Sequence, residues 1–208
     1  MRKFAAIAIA LALGTASSAA MADDGNFFVN ANAGASHYNV DNPFAGVQGN
    51  SFSKTGKAGA LRVGYRWNSV VDYGVEAGYG FLGNVTSRVP VVGVITRAQD
   101  QTRGWLLGGN LNYNINEHWY VGARAGWFRA RSLYEVRFTP DTANESLRSV
   151  VTRTGEYFGL GGGYNFNKNF SLGLAYDSYR VPENYNPVSG DTKSARIGMY
   201  SLQAEYRF

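Results

Sequence analysis

The 208-residue chain is long enough for one domain and has no cysteine, which excludes disulfides and thiolate chemistry. Its net charge of +5 is too small to point to nucleic acid, and two histidines without cysteine are a poor donor set for a metal. Glycine is abundant at 26, proline scarce at 5, and aromatics reach 14%, with no helical periodicity beneath them.

The chain opens with Arg2 and Lys3, followed by an uncharged apolar run from Phe4 to Leu13. Small residues then end in Ala20-Met21-Ala22, before Asp23 and Asp24. This is the order of a cleaved secretory signal peptide over 1–22, and the domain is expected over 23–208. The run is too short for a spanning helix, which needs about 20 apolar residues. Without Arg2 and Lys3, the 20 basic residues fall to 18 against 15 acidic ones.

Eight stretches of period-two alternation follow. The first sets Phe27, Val29, Ala31, Ala33 and Ala35 against Asn30, Asn32, Gly34 and Ser36. The second sets Leu61, Val63, Tyr65 and Trp67 against Ala60, Arg62, Gly64 and Arg66, and the third Tyr73, Val75, Ala77, Tyr79 and Phe81 against Gly74, Glu76, Gly78 and Gly80. The fourth runs through Trp105, Leu107, Leu111 and Tyr113, and the fifth through Trp119, Val121, Ala123, Ala125 and Trp127, with Arg124 on its other face. In the sixth, Phe158, Leu160, Tyr164 and Phe166 oppose Tyr157, Gly159, Gly161 and Gly163. The seventh and eighth set Phe170, Leu172, Leu174, Tyr176 and Tyr200, Leu202, Ala204, Tyr206, Phe208 against faces carrying Asp177, Glu205 and Arg207.

Short turns at 68–71, 115–118 and 166–169 alternate with long polar connections at 41–55, 84–102, 132–153 and 181–194. The polar faces hold Gly, Asn and isolated charges rather than the Lys, Glu and Thr of a soluble sheet. Aromatics gather at strand ends in two groups, where two membrane interfaces would hold them. An open sheet in lipid would leave its edge groups unsatisfied, so the strands must close. The expected fold is all-β: a closed eight-stranded antiparallel up-and-down transmembrane β-barrel, with short periplasmic turns and four longer extracellular loops.

The last strand ends Ala204-Glu205-Tyr206-Arg207-Phe208. Its alternating aromatics and terminal Phe resemble the assembly signal of bacterial outer-membrane barrels. With eight strands and the leader, the chain resembles the small OmpA-like β-barrel superfamily of Gram-negative bacteria, including OmpX and the opacity-type proteins. That resemblance implies Tyr206 and Phe208 as the C-terminal assembly signal, read by the β-barrel assembly machinery and periplasmic chaperones. It also implies outer-membrane lipid, including lipopolysaccharide, and host or surface ligands as partners, with no cofactor and no nucleic acid. A few barrels of this size modify lipid A. The palmitoyltransferases among them begin with an amphipathic helix, and the deacylases carry His-x-Ser on a late strand; neither feature is seen here.

Three constellations bear on function. Ser36 precedes His37, but adjacent strand residues point to opposite faces, and His118 lies in a turn at the other end; no catalytic residue is expected. Arg62, Glu76, Arg124, Asp177, Glu205 and Arg207 share the interior parity. Arg62 and Glu76 are expected to lie directly opposite or one diagonal apart. They form either a structural charge network, since eight strands enclose little more than side chains, or the lining of a gated pore. Lys57, Arg103, Arg129, Arg131, Arg180 and Arg196 have the outward parity and fall at the loop end, where lipopolysaccharide phosphates would lie; the bland reading is a solvated rim. The expected role is a non-enzymatic envelope protein acting in integrity, surface interaction or adhesion through its loops. The alternatives are a narrow porin-like channel and a lipid A-modifying enzyme.

Overall fold

In a computed structural model, residues 25–39, 51–91, 94–139, 147–184 and 192–208 are described. The expected leader over 1–22 lies outside them. Nine strands follow in order: β1 (Gly25–Asn39), β2 (Ser51–Ser53), β3 (Thr55–Trp67), β4 (Asp72–Val91), β5 (Val94–Asn114), β6 (Trp119–Thr139), β7 (Leu147–Asn165), β8 (Phe170–Asn184) and β9 (Thr192–Arg207). β2 and β3 both pair with β4 and are separated only by Lys54, so they make one interrupted strand of the wall. Each strand pairs antiparallel with its neighbours in the chain, and β1 pairs with β9 to close the barrel at eight strands. All three short turns lie at one end.

The alternation in the sequence is the alternation in space. Along β9, Leu202 is 69% exposed and Gln203 6%. Leu61, Val75, Leu107, Leu160 and Leu174 likewise face outward, where only lipid makes such exposure favourable. At the short-turn end the outward rings form chains of contact: Phe27, Tyr65, Trp67 and Tyr73 at successive centroid distances of 4.9, 5.1 and 5.4 Å, and Trp119, Tyr164 and Phe166 at 5.4 and 5.1 Å.

The strands run further than the alternation suggested. The connection expected over 84–102 is mostly ladder, since β4 and β5 pair as far as Val91 opposite Val94. A β-bulge hid this. Phe81 faces Arg103 and Asn84 faces Gln101, so β4 carries one extra residue, with Gly83 at φ 86°. A side chain at that φ is strained, which is why glycine stands there. Beyond the bulge the outward positions change from odd to even numbers, and the apolar alternation dissolves. The stretch expected as a connection over 132–153 is likewise largely strand, through Thr139 and from Leu147, and that over 181–194 is strand to Asn184 and from Thr192. Of the connection expected over 41–55, residues 41–50 lie outside the described residues, and 51–55 belong to β2 and the start of β3. Above the lipid, outward residues need not be apolar, so strands persist there without a hydrophobic pattern.

β4 to β7 rise above the rest of the wall. The β7–β8 ladder stops at Glu156 opposite Arg180. Arg180 directs its carbonyl at β7 beside Gly155, and the period of two turns the Pro182 nitrogen the same way. Proline has no N–H to offer, so the ladder loses its next donor where it stops.

Candidate functional site

The barrel interior is built in layers, each set by which inward positions carry charge. In the middle, Arg62 from β3 is fully buried. Its Nε lies 3.5 Å from Glu76 Oε1 on β4, an ion contact rather than a hydrogen bond. The register puts Arg62 opposite Gly78 and Glu76 opposite Gly64, so the two are diagonal neighbours. The guanidinium also donates to Asn32 Oδ1 at 2.5 Å and Tyr179 Oη at 3.1 Å, and lies 3.6 Å from Asp177 Oδ2. Arg124 on β6 donates to both Asp177 oxygens, at 2.7 and 2.9 Å. Glu76 accepts from Tyr157 Oη at 2.8 Å and from Asn110 Nδ2 at 3.2 Å. Buried charge is tolerable only when paired and hydrogen-bonded, and each charged group here is both, although Arg62 Nε itself has no hydrogen-bond partner.

A second group lies toward the short turns. Glu205 accepts two bonds from Arg66, at 2.7 and 3.1 Å, and one from Arg207 Nη1 at 3.4 Å. Arg66 also packs over the Phe28 ring, 4.5 Å from its centroid. Arg66 was not among the six interior charges expected to form the network. Its inward parity was visible, but its partner stands on β9, reached only because the barrel closes through β1. Arg62, Glu76, Arg124 and Asp177 form one group, and Arg66, Glu205 and Arg207 the other.

Toward the loop end the lumen is apolar, which the sequence reading did not anticipate. Leu82, Leu106, Phe128, Tyr179, Ile197 and Met199 fill it, all buried. Runs such as Trp105-Leu106-Leu107 and Trp127-Phe128, apolar on both faces at the loop end, were the available signal. Below the ion cluster lies a cavity of about 40 Å³ lined by Arg66, Glu76, Asn110, Arg124 and Gln203, large enough for water. The mouth between the short turns is open, at about 990 Å³.

The outward basic residues all sit at the loop end. Arg103 on β5 is directly opposite Arg131 on β6, and Arg129 is opposite Trp105. Arg180 on β8 is opposite both Glu156 and Arg196. Lys57 stands apart beside Ala35. Arg103 is half-buried and the other five are exposed. At the chain end, Phe208 N donates to Phe27 O at 2.9 Å, and the Tyr206 and Phe208 rings are 5.0 Å apart.

His37 is exposed on the outside of β1, while Ser36 is buried and donates to Leu82 O at 2.5 Å. His118 stacks on Tyr164 at the other end of the barrel. Among the described residues, no three of His, Asp and Glu gather where they could hold a metal ion.

Comparison with known proteins places this geometry. The profile of the outer membrane protein beta-barrel domain family matches residues 6–208. Among solved structures, Ail, the attachment invasion locus protein of Yersinia pestis in complex with the heparin analogue sucrose octasulfate, superposes with a TM-score of 0.51. It is 14% identical over 89% of this chain and 99% of its own. The outer membrane protease OmpT of Escherichia coli superposes with a TM-score of 0.53, 10% identical over 92% of this chain and 100% of its own. Identities this low show a shared fold alone. No individually curated protein sequence matches this one.

Proposed function

Since this chain belongs to the outer membrane protein β-barrel domain family and resides in the bacterial outer membrane, we propose that it is a sealed, non-enzymatic anchor that carries its protruding strands and hairpins as an interaction surface. The observation that carries this reading is the filled interior. From the Arg62 cluster to the loop-side rim, the lumen is occupied by the protein's own buried side chains. A pore would need a continuous polar path, and the apolar layer interrupts it. The two histidines stand at opposite ends of the barrel with Ser36 turned away from His37, which favours a non-enzymatic role.

Partners follow from position. The outward belt meets outer-membrane lipid, and lipopolysaccharide is the proposed contact of the basic rim. Tyr206 and Phe208 are the proposed handle for the barrel assembly machinery and periplasmic chaperones. Host or surface ligands would meet the strands of β4 to β7 that rise above the rim. The heparin analogue bound by Ail is a precedent for a polyanionic surface ligand on this fold.

Two experiments test the reading. In planar bilayers the purified protein should give no steady single-channel conductance; steady conductance would make it a porin-like channel. In cells, replacing residues 84–101 by a short turn should leave a heat-modifiable barrel but lose the surface or envelope phenotype that the intact protein restores to a deletion strain. Full restoration by the trimmed protein would overturn the surface role.

A further inference from the structure

Four of the six outward basic residues stand in directly opposed cross-strand pairs: Arg103 with Arg131, and Arg180 with Arg196. Directly opposed residues in an antiparallel ladder hold their Cβ atoms about 4.5–5.5 Å apart, and like charges there destabilise the sheet. The ladder therefore roots two arginine side chains next to each other, an arrangement that becomes favourable when both guanidiniums share an anion.

The two pairs differ in what surrounds them. Arg180 has a carboxylate residue, Glu156, directly opposite on its other side. Arg103 has Phe81 there, and Arg131 has Thr152. The next row toward the membrane holds Tyr79, Trp105, Arg129 and Thr154, and the next row outward Asn84, Gln101, Leu133 and Val150. No acidic residue occupies any of these positions. Arg129 instead adds a third positive charge one diagonal away from Arg103.

Depth supplies the second constraint. Arg103 lies two residues beyond Trp105 and Arg131 four beyond Trp127, both rings being well exposed on the outer face. At about 3.4 Å per residue, the pair sits roughly 7–14 Å past rings that favour the membrane interface, within the headgroup layer. Below it the wall continues through Trp105, Leu107 and Ala125, a surface for acyl chains.

We propose that Arg103 and Arg131, assisted by Arg129, form a binding site for the phosphate of a lipid A-type headgroup in the outer leaflet, whereas the Arg180–Arg196 pair has half its charge offset by Glu156 opposite Arg180 and is not an equivalent site. This deepens the lipid contact proposed above and rests on it. Paired guanidinium forks donate bidentately to phosphate oxygens, and hydroxyls of Thr152 and Thr154 stand in the same rows.

The test uses the full-length barrel in phosphatidylcholine nanodiscs, titrated with phosphorylated lipid A, dephosphorylated lipid A and inorganic phosphate. The wild type should bind phosphorylated lipid A at least about tenfold more tightly than the dephosphorylated form, as two charge-assisted contacts would give. R103Q/R131Q should lose that preference, while R180Q/R196Q keeps most of it. R131Q alone, which opens the clamp but retains Arg103, should lose most of it as well. In phosphatidylcholine vesicles R103Q/R131Q should unfold no more easily than the wild type, because the opposed charges are gone. The site is overturned if R103Q/R131Q or R131Q retains the preference, if both double variants lose it equally, or if inorganic phosphate competes as well as lipid A. A barrel that conducts yet keeps the lipid preference would overturn the sealed-anchor reading and leave this site standing.

Discussion

Arg124 and Asp177 join β6 to β8 across the face of β7, and the residue they reach over is Gly159. The register places Gly159 directly opposite both of them, and the guanidinium lies flat against the carboxylate with bonds of 2.7 and 2.9 Å. A Cβ at 159 would run into Asp177 Oδ1 and lie 2.9 Å from Arg124 Nε. The glycine is the space in which the buried pair forms.

Gly159→Ala should therefore destabilise the barrel by about 1–3 kcal/mol, the usual range for overpacking a filled site. Gly80 is the control. It also faces inward, but a Cβ there would meet nothing closer than Leu106 at 3.5 Å. Gly80→Ala should stay within about 0.5 kcal/mol of the wild type. Urea unfolding in lipid vesicles measures both, and equal stability of the two variants would refute the argument.

The carboxylates of the central cluster should rank in a definite order. Asp177 serves both Arg62 and Arg124, and its side chain is fully buried. Asp177→Asn leaves one guanidinium short of charge and should cost about 3–5 kcal/mol. Glu76→Gln keeps Asp177 beside Arg62 and keeps a side chain that can still accept from Tyr157. Its cost should be nearer 1.5–3 kcal/mol, about that of charge-assisted hydrogen bonds. The reverse order in urea unfolding would mean that Glu76, not Asp177, anchors Arg62.

The orientation of these groups was legible because lipid imposes a strict rule on the outward face. Arg62, Glu76, Arg124 and Asp177 could be assigned to the interior once Leu61, Val75, Ala123 and Tyr176 were assigned to lipid. Register was less legible. The Arg66–Glu205 pair depends on β1 lying between β3 and β9, and no local pattern encodes that closure. Nor does alternation survive the Gly83 bulge, where one inserted residue reverses the parity. The apolar layer was missed for a related reason: Leu82, Leu106 and Phe128 are inward residues at a height where the outward face is also apolar, so no contrast marks them.

That apolar layer should behave as a soluble protein's core does. Phe128 is fully buried, with its ring centroid 5.1 Å from that of Tyr179. Phe128→Ala should cost about 3–5 kcal/mol, the usual price of a large cavity. Phe158→Ala, on the lipid-facing side of β7, should cost clearly less, since lipid can close over the gap. Comparable losses in vesicle unfolding would show that the layer is loosely packed.

The terminal residues separate recognition from stability. Phe208 contributes to the closed wall chiefly through its backbone, by the bond from its N–H to Phe27 O, and its ring packs at the surface on Tyr206. The bond survives truncation of the side chain to alanine, and the ring is 41% exposed. Phe208→Ala should therefore refold into lipid vesicles with stability within about 1 kcal/mol of the wild type, as expected for a partly exposed ring. If Tyr206 and Phe208 are the handle for the assembly machinery, the same variant should accumulate unfolded in cells. It would then show less of the heat-modifiable form in outer-membrane fractions. Tyr206→Ala, whose ring stands two residues earlier on the same outward face, should repeat the defect. Normal assembly of both variants in cells would remove the signal. A matching loss of stability in vesicles would instead assign the aromatics to the barrel's own packing.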